Sequence, residues 1–338
     1  MLFRSEVLNA VLDAGINFID TSPDYGLSEE RIGRYISHRR SEYFLASKCG
    51  CAAEGFGTGA GNEHFFTAAN VRAAVEQSLR RMRTDYLDIV QFHQSPSRAV
   101  MEAEGALAEL QALQREGKVR FLGMSGVLPE LREQIAMGVF DEFQIPYSVI
   151  QREHEQVIAE AAAAGAGIAI RGGAARGTPT DWEHRAYYML PGNEPKDRWE
   201  QGRLDELLDG MSRIEFTLRF TLSLPDLHTT IVGTKDVAHV QSNIAMAAKG
   251  PLPADVVASV AGAAYADGVK PYLHLLPMIT DRIVNMSSIA GQITAPFLSI
   301  YAAAKHGVEG FSEGLRKELY LRGIKVSIVA PGTIQTPI

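Results

Sequence analysis

Short apolar runs alternate with amphipathic stretches over about the first 250 residues. The runs are rich in β-branched or aromatic residues and end at turn residues, which predicts β-strands. They lie at 16–20, 43–48, 86–92, 119–124, 142–147, 167–171 and 229–233. Between them, apolar residues recur on one helix face, for example at Val75, Leu79 and Met82. The predicted helices lie at 4–14, 69–83, 100–116 and 154–164. This alternation is typical of a parallel sheet covered by helices.

The number of strand and helix units favours a (β/α)8 TIM-type barrel that lacks its first strand. The chain opens on the helix at 4–14, which leads into the strand that ends at Asp20. A polar stretch interrupted by Gly and Pro, residues 177–204, follows the strand at 167–171. Barrels carry their active-site loops on that side of the sheet, so we expect either a lid or a surface insertion there.

The pattern changes near residue 268. The apolar run RIVNM is followed by a helix-like stretch at 299–321 and then by the nearly continuous apolar run IKVSIVA. This order predicts a strand, a helix and a second strand, which form a partial Rossmann-like β-α-β unit. The predicted domains are therefore a barrel over 1–268 and a C-terminal fragment over 269–338.

Composition and charge restrict the class of partner. The chain has 33 Lys and Arg against 40 Asp and Glu, a net charge of −7, which argues against a nucleic-acid binder built on a basic face. No apolar run reaches membrane-spanning length, and the charges near the start argue against a secretory signal. The two cysteines, Cys49 and Cys51, are too few for a zinc site and are expected to be packing residues. These features predict a cytoplasmic protein without a metal or a membrane anchor.

Four ionisable residues lie at or just beyond the ends of the first three predicted strands: Asp20, Tyr25, Lys48 and His93. The carboxyl ends of barrel strands share one face, so we expect these side chains to converge. An ammonium group beside a tyrosine lowers its pKa, and a carboxylate keeps that ammonium charged. A histidine could orient a carbonyl toward the tyrosine, as reduction by hydride transfer requires.

These residues stand in recognisable surroundings. The segment GINFIDTSPDYGLSEERIG, followed by FLASK, YLDIVQFH, GKVRFLGMSG and IVGTKDVAHVQSNI, resembles the aldo-keto reductase family over about residues 1–250. The resemblance implies a barrel that binds NADP(H) or NAD(H) without a Rossmann fold. It implies that Tyr25 is the general acid, tuned by Lys48 and Asp20. His93 would orient the small-molecule carbonyl substrate.

The resemblance also implies the cofactor-binding residues Ser125, Gln144, Arg171, Gly233, Thr234, His239, Ser242 and Asn243. Ser125 and Gln144 match residues that bind the nicotinamide carboxamide, although Gly126 replaces the usual asparagine. Arg171 replaces a stacking tyrosine and can stack by its guanidinium plane. Gly233 and His239 replace two cations that bind the 2′-phosphate in well-known members, and Lys235 is shifted by two positions. NADP(H) is expected on family grounds, and NAD(H) is the alternative.

The C-terminal fragment carries a second Tyr and Lys pair. Tyr301 and Lys305 are four residues apart on a predicted helix, and Ser288 precedes them. With NMSSIAG and SIVAPGTIQT around them, residues 272–338 resemble the short-chain dehydrogenase/reductase family, whose catalytic triad they match. The chain has no glycine-rich turn to bind a dinucleotide, so we expect this fragment to be inactive.

The sequence therefore predicts an NAD(P)H-dependent aldo-keto reductase that reduces aldehydes or ketones to alcohols, with Tyr25 as general acid. The alternative is a catalytically inactive composite of two reductase pieces that at best binds a nicotinamide nucleotide. This alternative stays open because the family's first strand contributes backbone near the nicotinamide, and the predicted barrel lacks that strand.

Overall fold

The computed structural model describes residues 3–57, 63–175, 195–263, 282–286 and 325–329. The chain divides into two compact units, residues 1–264 and 265–338. The domain boundary expected at residue 268 stays a prediction, because it lies outside the described residues. No helix in the described ranges combines the length and the apolar composition needed to cross a bilayer.

Seven strands form one sheet in the larger unit, and every pair of neighbouring strands is parallel. They are β1 Phe18–Asp20, β2 Phe44–Cys49, β3 Leu87–Phe92, β4 Val119–Ser125, β5 Glu142–Pro146, β6 Gly167–Arg171 and β7 Thr229–Ile231. Their spatial order is their order in the chain, and the sheet curls into a nearly closed barrel. The predicted α/β barrel is thereby confirmed.

Helices follow the strands in the alternation that the sequence predicts. They are α1 Phe3–Asp13, α2 Ser28–Tyr35, α3 Ala68–Met82, α4 Arg98–Ala103, α5 Ala106–Arg115, α6 Leu131–Ala136, α7 Glu155–Ala163, α8 Pro195–Gln201, α9 Arg213–Leu222, α10 Val237–Ala247 and α11 Ala254–Ala263. Two 3₁₀ helices occupy Ser37–Glu42 and Leu204–Leu207. The apolar face of α3 is buried at Val71, Val75 and Met82, as its amphipathic pattern predicts.

The single helix predicted over 100–116 is wrong, because the chain breaks between α4 and α5. Gly105 has φ of 74°, a left-handed conformation that glycine adopts without strain. The carbonyl of Glu104 accepts from the Ala68 backbone N–H at 2.9 Å instead of continuing a helix. Periodicity alone did not predict this tertiary contact.

The two faces of the barrel strands differ in polarity. Ser47 of β2 donates to Glu29 of α2 at 2.9 Å, so its side chain faces the helices. Its neighbour Lys48 points to the opposite face, into the barrel, since successive strand residues alternate. Gln91 and Glu142 meet on that inner face at 3.0 Å. The interior is therefore polar near the ends of several strands, while the apolar core lies between the sheet and the helices.

The smaller unit contains a pair of parallel strands, β8 Arg282–Met286 and β9 Lys325–Val329, with Arg282 opposite Lys325. These are the strands that RIVNM and IKVSIVA predict. Ser288, Tyr301, Lys305 and the helix expected at 299–321 lie outside the described residues. So do residues 177–194 of the expected lid, whose last part contains α8.

Candidate active site

Asp20 and Lys48 form a buried ion pair at the carboxyl ends of β1 and β2. Lys48 Nζ donates to both carboxylate oxygens of Asp20 at 2.9 Å and to the Thr21 carbonyl at 2.8 Å. These acceptors use all three ammonium protons. Burial lowers the pKa of Lys48, but the charge and hydrogen bond of Asp20, together with Tyr25 and Glu142, outweigh this effect and the net pKa is raised. Lys48 is therefore a fixed positive charge inside the barrel.

Tyr25 lies beside this pair, and Lys48 Nζ is 5.2 Å from its ring centroid. Tyr25 is 49% exposed, and the loss of water around its buried part raises its pKa, while Lys48 opposes that rise. The net direction is upward, although Lys48 lowers the pKa as the sequence predicts. Loss of hydration exceeds the effect of the ammonium here. The phenol is consequently protonated at neutral pH, the form that a general acid requires.

His93 follows β3 and packs edge-to-face against Tyr25, with ring centroids 6.1 Å apart. Its Nδ1 lies 3.4 Å from Asp24 Oδ2, 3.4 Å from Cys51 Sγ and 3.2 Å from His64 Nε2. Burial lowers the pKa of His93, although Asp24 raises it, so the neutral imidazole is favoured. Cys51, expected to be a packing residue only, thus contacts His93 through a polar atom.

Gln144 joins the ion pair to the residues predicted to bind nicotinamide. Its Nε2 donates to Asp20 Oδ1 at 2.8 Å, and its Oε1 accepts from Ser125 Oγ at 3.4 Å. The register of β4 and β5 places Ser125 opposite Gln144. Strand pairing therefore brings together two side chains that are far apart in sequence.

Gly126 occupies the position where the family usually has an asparagine. A Cβ atom at this position would lie 2.5 Å from Leu131 Cδ1 and 2.9 Å from Gln134 Oε1. Gln134 cannot easily move, since its Nε2 donates to the Pro96 carbonyl at 2.8 Å and to Ser95 Oγ at 3.2 Å. A side chain at position 126 would therefore require Leu131 and Gln134 to shift.

A cleft of about 1330 Å³ opens at the carboxyl ends of the strands. It is lined by Asp20, Tyr25 and His93 and by all the predicted cofactor-binding residues, namely Ser125, Gln144, Arg171, Gly233, Thr234, His239, Ser242 and Asn243. Lys48 contacts Asp20 and Tyr25, and these two residues line the cleft. Lys235, which is shifted by two positions from the expected cation, also lines the cleft.

Several residues that line the cleft were not predicted from the sequence. Gln94 and Ser95 directly follow His93 and have φ of 63° and 50°, a strained left-handed conformation for residues with a side chain. Ser212 also lines the cleft, and its side chain caps α9 by accepting from the Glu215 N–H. A polar residue one position before a helix is a local signal that could have identified Ser212.

Comparison with known proteins agrees with this geometry. The sequence model of the aldo/keto reductase family matches residues 3–264, and that of short chain dehydrogenases matches residues 267–338. The C-terminal part is 46% identical over 73 residues to short-chain dehydrogenase/reductase family 9C member 7 from Homo sapiens. That match covers 21% of this chain and 23% of the relative.

The larger unit is similar to a dehydrogenase and to a solved aldo-keto reductase. The chain is 29% identical over 251 residues to L-galactose dehydrogenase from Arabidopsis thaliana, covering 68% of this chain and 73% of that protein. The holo form of aldo-keto reductase AKR11C1 from Bacillus halodurans superposes with a TM-score of 0.67 at 25% identity. That alignment covers 79% of this chain and 88% of the neighbour. With a family match over residues 3–264 and a barrel of the same fold, the chain belongs to the aldo/keto reductase family.

Proposed function

We propose that this chain is an NAD(P)H-dependent oxidoreductase that reduces aldehydes or ketones to alcohols, with Tyr25 as the general acid. The observation that carries the proposal is the convergence of Tyr25, the Asp20–Lys48 pair and His93 in the same cleft as the predicted cofactor-binding residues. Membership of an oxidoreductase family and the name of the dehydrogenase relative support it.

The side chains of the cleft fit a nicotinamide nucleotide. The volume of the cleft exceeds the ~300–1,000 Å³ of ordinary small-molecule sites. An extended dinucleotide together with a substrate requires this larger space. Ser125 and Gln144 offer a hydroxyl and an amide to a carboxamide. At Gly233 a Cβ would have no neighbour within 4 Å, which leaves open space beside the backbone. When bound, the nicotinamide supplies the hydride.

The protein's own residues would handle the carbonyl and the proton. A neutral His93 with its proton on Nε2, the ring nitrogen away from Asp24, donates that N–H to the carbonyl oxygen and orients it. Tyr25 Oη then transfers its proton to that oxygen as negative charge develops there. The resulting phenolate is stabilised by the ammonium of Lys48, which Asp20 keeps charged. The hydrogen bond from Gln144 fixes the position of Asp20.

The test follows nicotinamide absorbance with the full-length protein, NADPH or NADH, and a panel of small aldehydes and ketones. We expect turnover by the wild type and a loss of about 10²–10⁴-fold in kcat for Tyr25→Phe, the usual contribution of a general acid. Nucleotide affinity should be nearly unchanged, because the ring remains. The matched control is Tyr35→Phe, since Tyr35 lies on α2 and packs against the apolar core.

Two results would contradict the proposal. If Tyr25→Phe keeps most of the wild-type kcat, another group is the acid. If the wild type binds nucleotide but turns over no carbonyl of the panel, the chain is the inactive composite.

A further inference from the structure

Four potential metal ligands meet beside Tyr25. They are Asp24, Cys51, His64 and His93, and one ligand atom from each lies within 4.8 Å of all the others. They come from three separate loops, after β1, after β2 and after β3. The proposed reaction uses only His93 among them, so the other three side chains need a separate explanation.

Five of the six distances between the ligand atoms are close to those of a tetrahedral site, and the sixth, between Asp24 and Cys51, is within 4.8 Å. Cys51 Sγ is 3.5 Å from His64 Nε2 and 3.4 Å from His93 Nδ1, and the two histidine nitrogens are 3.2 Å apart. Asp24 Oδ2 is 3.4 Å from His93 Nδ1 and 3.9 Å from His64 Nε2. Ligands bound at ~2.0–2.3 Å from a tetrahedral Zn²⁺ lie about 3.3–3.7 Å from one another. An ion at the centre therefore requires only small side-chain movements.

We propose that Asp24, Cys51, His64 and His93 bind one Zn²⁺ ion, through Oδ2, Sγ, Nε2 and Nδ1 respectively. The donor set selects the metal, because Mg²⁺ and Ca²⁺ take oxygen ligands whereas thiolate and imidazole suit Zn²⁺. The charges also balance, since one carboxylate and one thiolate neutralise a divalent cation. On binding, Cys51 releases its thiol proton to solvent as the Zn–S bond forms, and no group changes oxidation state.

The backbone that carries Cys51 and His64 is fixed in advance. Cys51 and His64 form an antiparallel bridge, flanked by hydrogen bonds from Phe65 N to the Gly50 carbonyl at 2.7 Å and from Ala52 N to the Glu63 carbonyl at 2.9 Å. A preformed backbone reduces the ordering that the metal must impose.

Asn70 of α3 fastens the same two segments. The side chain of Asn70 is fully buried. Its Nδ2 donates to the carbonyls of Cys51 at 3.1 Å and Phe65 at 2.9 Å, and its Oδ1 accepts from Ala53 N at 3.0 Å. One side chain therefore joins the segment of Cys51 to the segment of His64 within the connection between β2 and α3.

The cluster is largely buried and contains an unsatisfied polar atom. The side chains of His64, His93 and Asp24 are 9%, 13% and 13% exposed, and Cys51 is 2% exposed. Asp24 Oδ1 is buried without a hydrogen-bond partner in the described part of the chain. Ser22 Oγ lies 3.4 Å from Cys51 Sγ, where it can act as an outer hydrogen-bond partner of a thiolate. Four protein ligands complete the coordination, which is typical of structural zinc.

Zinc at this position would also act on His93. A metal on Nδ1 of a neutral imidazole leaves its proton on Nε2, the nitrogen on the far side of the ring from the cluster. Zinc would thus fix the tautomer of His93 and stabilise the loops around Tyr25. This consequence rests on the proposed reductase function, whereas the binding itself does not.

The experiment measures metal binding by the full-length, tag-free protein after removal of metals with a chelator. We expect one Zn²⁺ per chain in competition with a chromophoric chelator, and a rise of several degrees in Tm. Co²⁺ should give tetrahedral d–d bands and a thiolate charge-transfer band. Cys51→Ser should abolish that band and weaken Zn²⁺ binding by more than the ~10–100-fold that loss of an outer partner costs.

The matched control is Cys49→Ala, because Cys49 is the other buried free cysteine and lies outside the cluster. It should retain the charge-transfer band and the Zn²⁺ affinity. If Cys51→Ser does not fold, as judged by circular dichroism without metal, Asp24→Asn is measured in the same way and should also weaken binding.

The proposal is overturned if the wild type takes up no stoichiometric Zn²⁺, if the Co²⁺ spectrum lacks a thiolate band, or if the folded cluster variant keeps wild-type affinity. Because the titration contains no nucleotide or carbonyl, a chain that binds zinc but reduces nothing would refute the proposed function alone. A chain that reduces carbonyls but binds no zinc would refute only the metal site.

Discussion

Buried ionisable groups at the two ends of the barrel interior differ in how many hydrogen-bond partners they have. At the carboxyl end, Lys48 donates to three acceptors, and Asp20 accepts from both Lys48 and Gln144. At the amino end of β5, Glu142 accepts one hydrogen bond from Gln91, and its Oε1 has no partner among the described residues. Phe121, also near the amino end, exposes 42% of its surface.

The difference shows that partners, and not depth alone, determine whether a buried group is charged. Lys48 remains an ammonium because Asp20 faces it at 2.9 Å. Burial instead raises the pKa of Glu142 to about 8, since the hydrogen bond from Gln91 and the more distant charge of Lys48 only partly compensate for the lost water. The carboxyl end is thus arranged for charge, and the interior beneath it contains a neutral acid at neutral pH.

The largest expected effect comes from breaking the charged end with Lys48→Met. The change removes the opposing charge from Tyr25 and leaves Asp20 buried with its main partner gone. We expect a loss of at least ~10²-fold in kcat and a destabilisation of ~3–5 kcal/mol, typical of a broken buried pair. Stopped assays over a range of pH and thermal unfolding measure both.

The matched control for that variant is Lys118→Met, because Lys118 pairs with Glu76 and Glu116 on the surface. It should keep the wild-type rate and most of the stability. A Lys48→Met enzyme with an unchanged pH profile would show that Lys48 does not tune the acid.

A smaller effect is expected at the neutral end from Glu142→Gln. The pKa of Glu142 is raised from 4.5 to about 8, so the folded state binds this proton more tightly than the unfolded state does. Stability from this group is complete below pH 4.5 and is lost as the pH rises to about 8. Gln cannot lose a proton, so the variant should exceed the wild type in Tm at pH 8.5 and converge with it at low pH.

Glu116→Gln provides the control for that pH dependence. Arg72 and Lys118 lower the pKa of Glu116 to about 2, and the residue is on the surface. Its substitution should not raise Tm at pH 8.5. Equal Tm values for Glu142→Gln and the wild type across pH 5–9 would mean that Glu142 ionises normally.

A still smaller effect concerns the outer part of the carboxyl end, where the cofactor's adenosine would lie. Gly233 and His239 offer no permanent cation for a 2′-phosphate, and the carboxylate of Asp236 caps α10 nearby. We expect kcat/KM for NADPH and NADH to differ by no more than about tenfold, or ~1.4 kcal/mol. A preference of several orders of magnitude would assign a phosphate contact to Lys235 or to another cation.

The smallest effect, none, is expected from Tyr301→Phe in the C-terminal unit. If the chemistry belongs to the carboxyl end of the barrel, removing this hydroxyl leaves kcat and KM unchanged in the same carbonyl assay. Loss of activity in this variant, with folding intact, would show that Tyr301 and not Tyr25 is the general acid.

The sequence by itself determined the alternation of strands and helices. The spacing of apolar residues along a strand and along a helix involves only neighbouring residues. The pattern is therefore sufficient to predict β2, β3 and α3 to within a residue or two. It also placed Asp20, Tyr25, Lys48 and His93 near one another, because residues at the ends of parallel strands share one face whatever the details of packing.

Only the tertiary structure decided the protonation of these groups and which side chains surround them. The pKa of Tyr25 depends on how much water its burial removes, which no spacing in the sequence gives. The break at Gly105 depends on a contact with Ala68. The cluster of Asp24, Cys51 and His64 around His93 brings three loops together, and backbone bonds and the side chain of Asn70 fix the loop that carries Cys51 and His64. Long-range contacts of this kind leave no periodic trace in the chain.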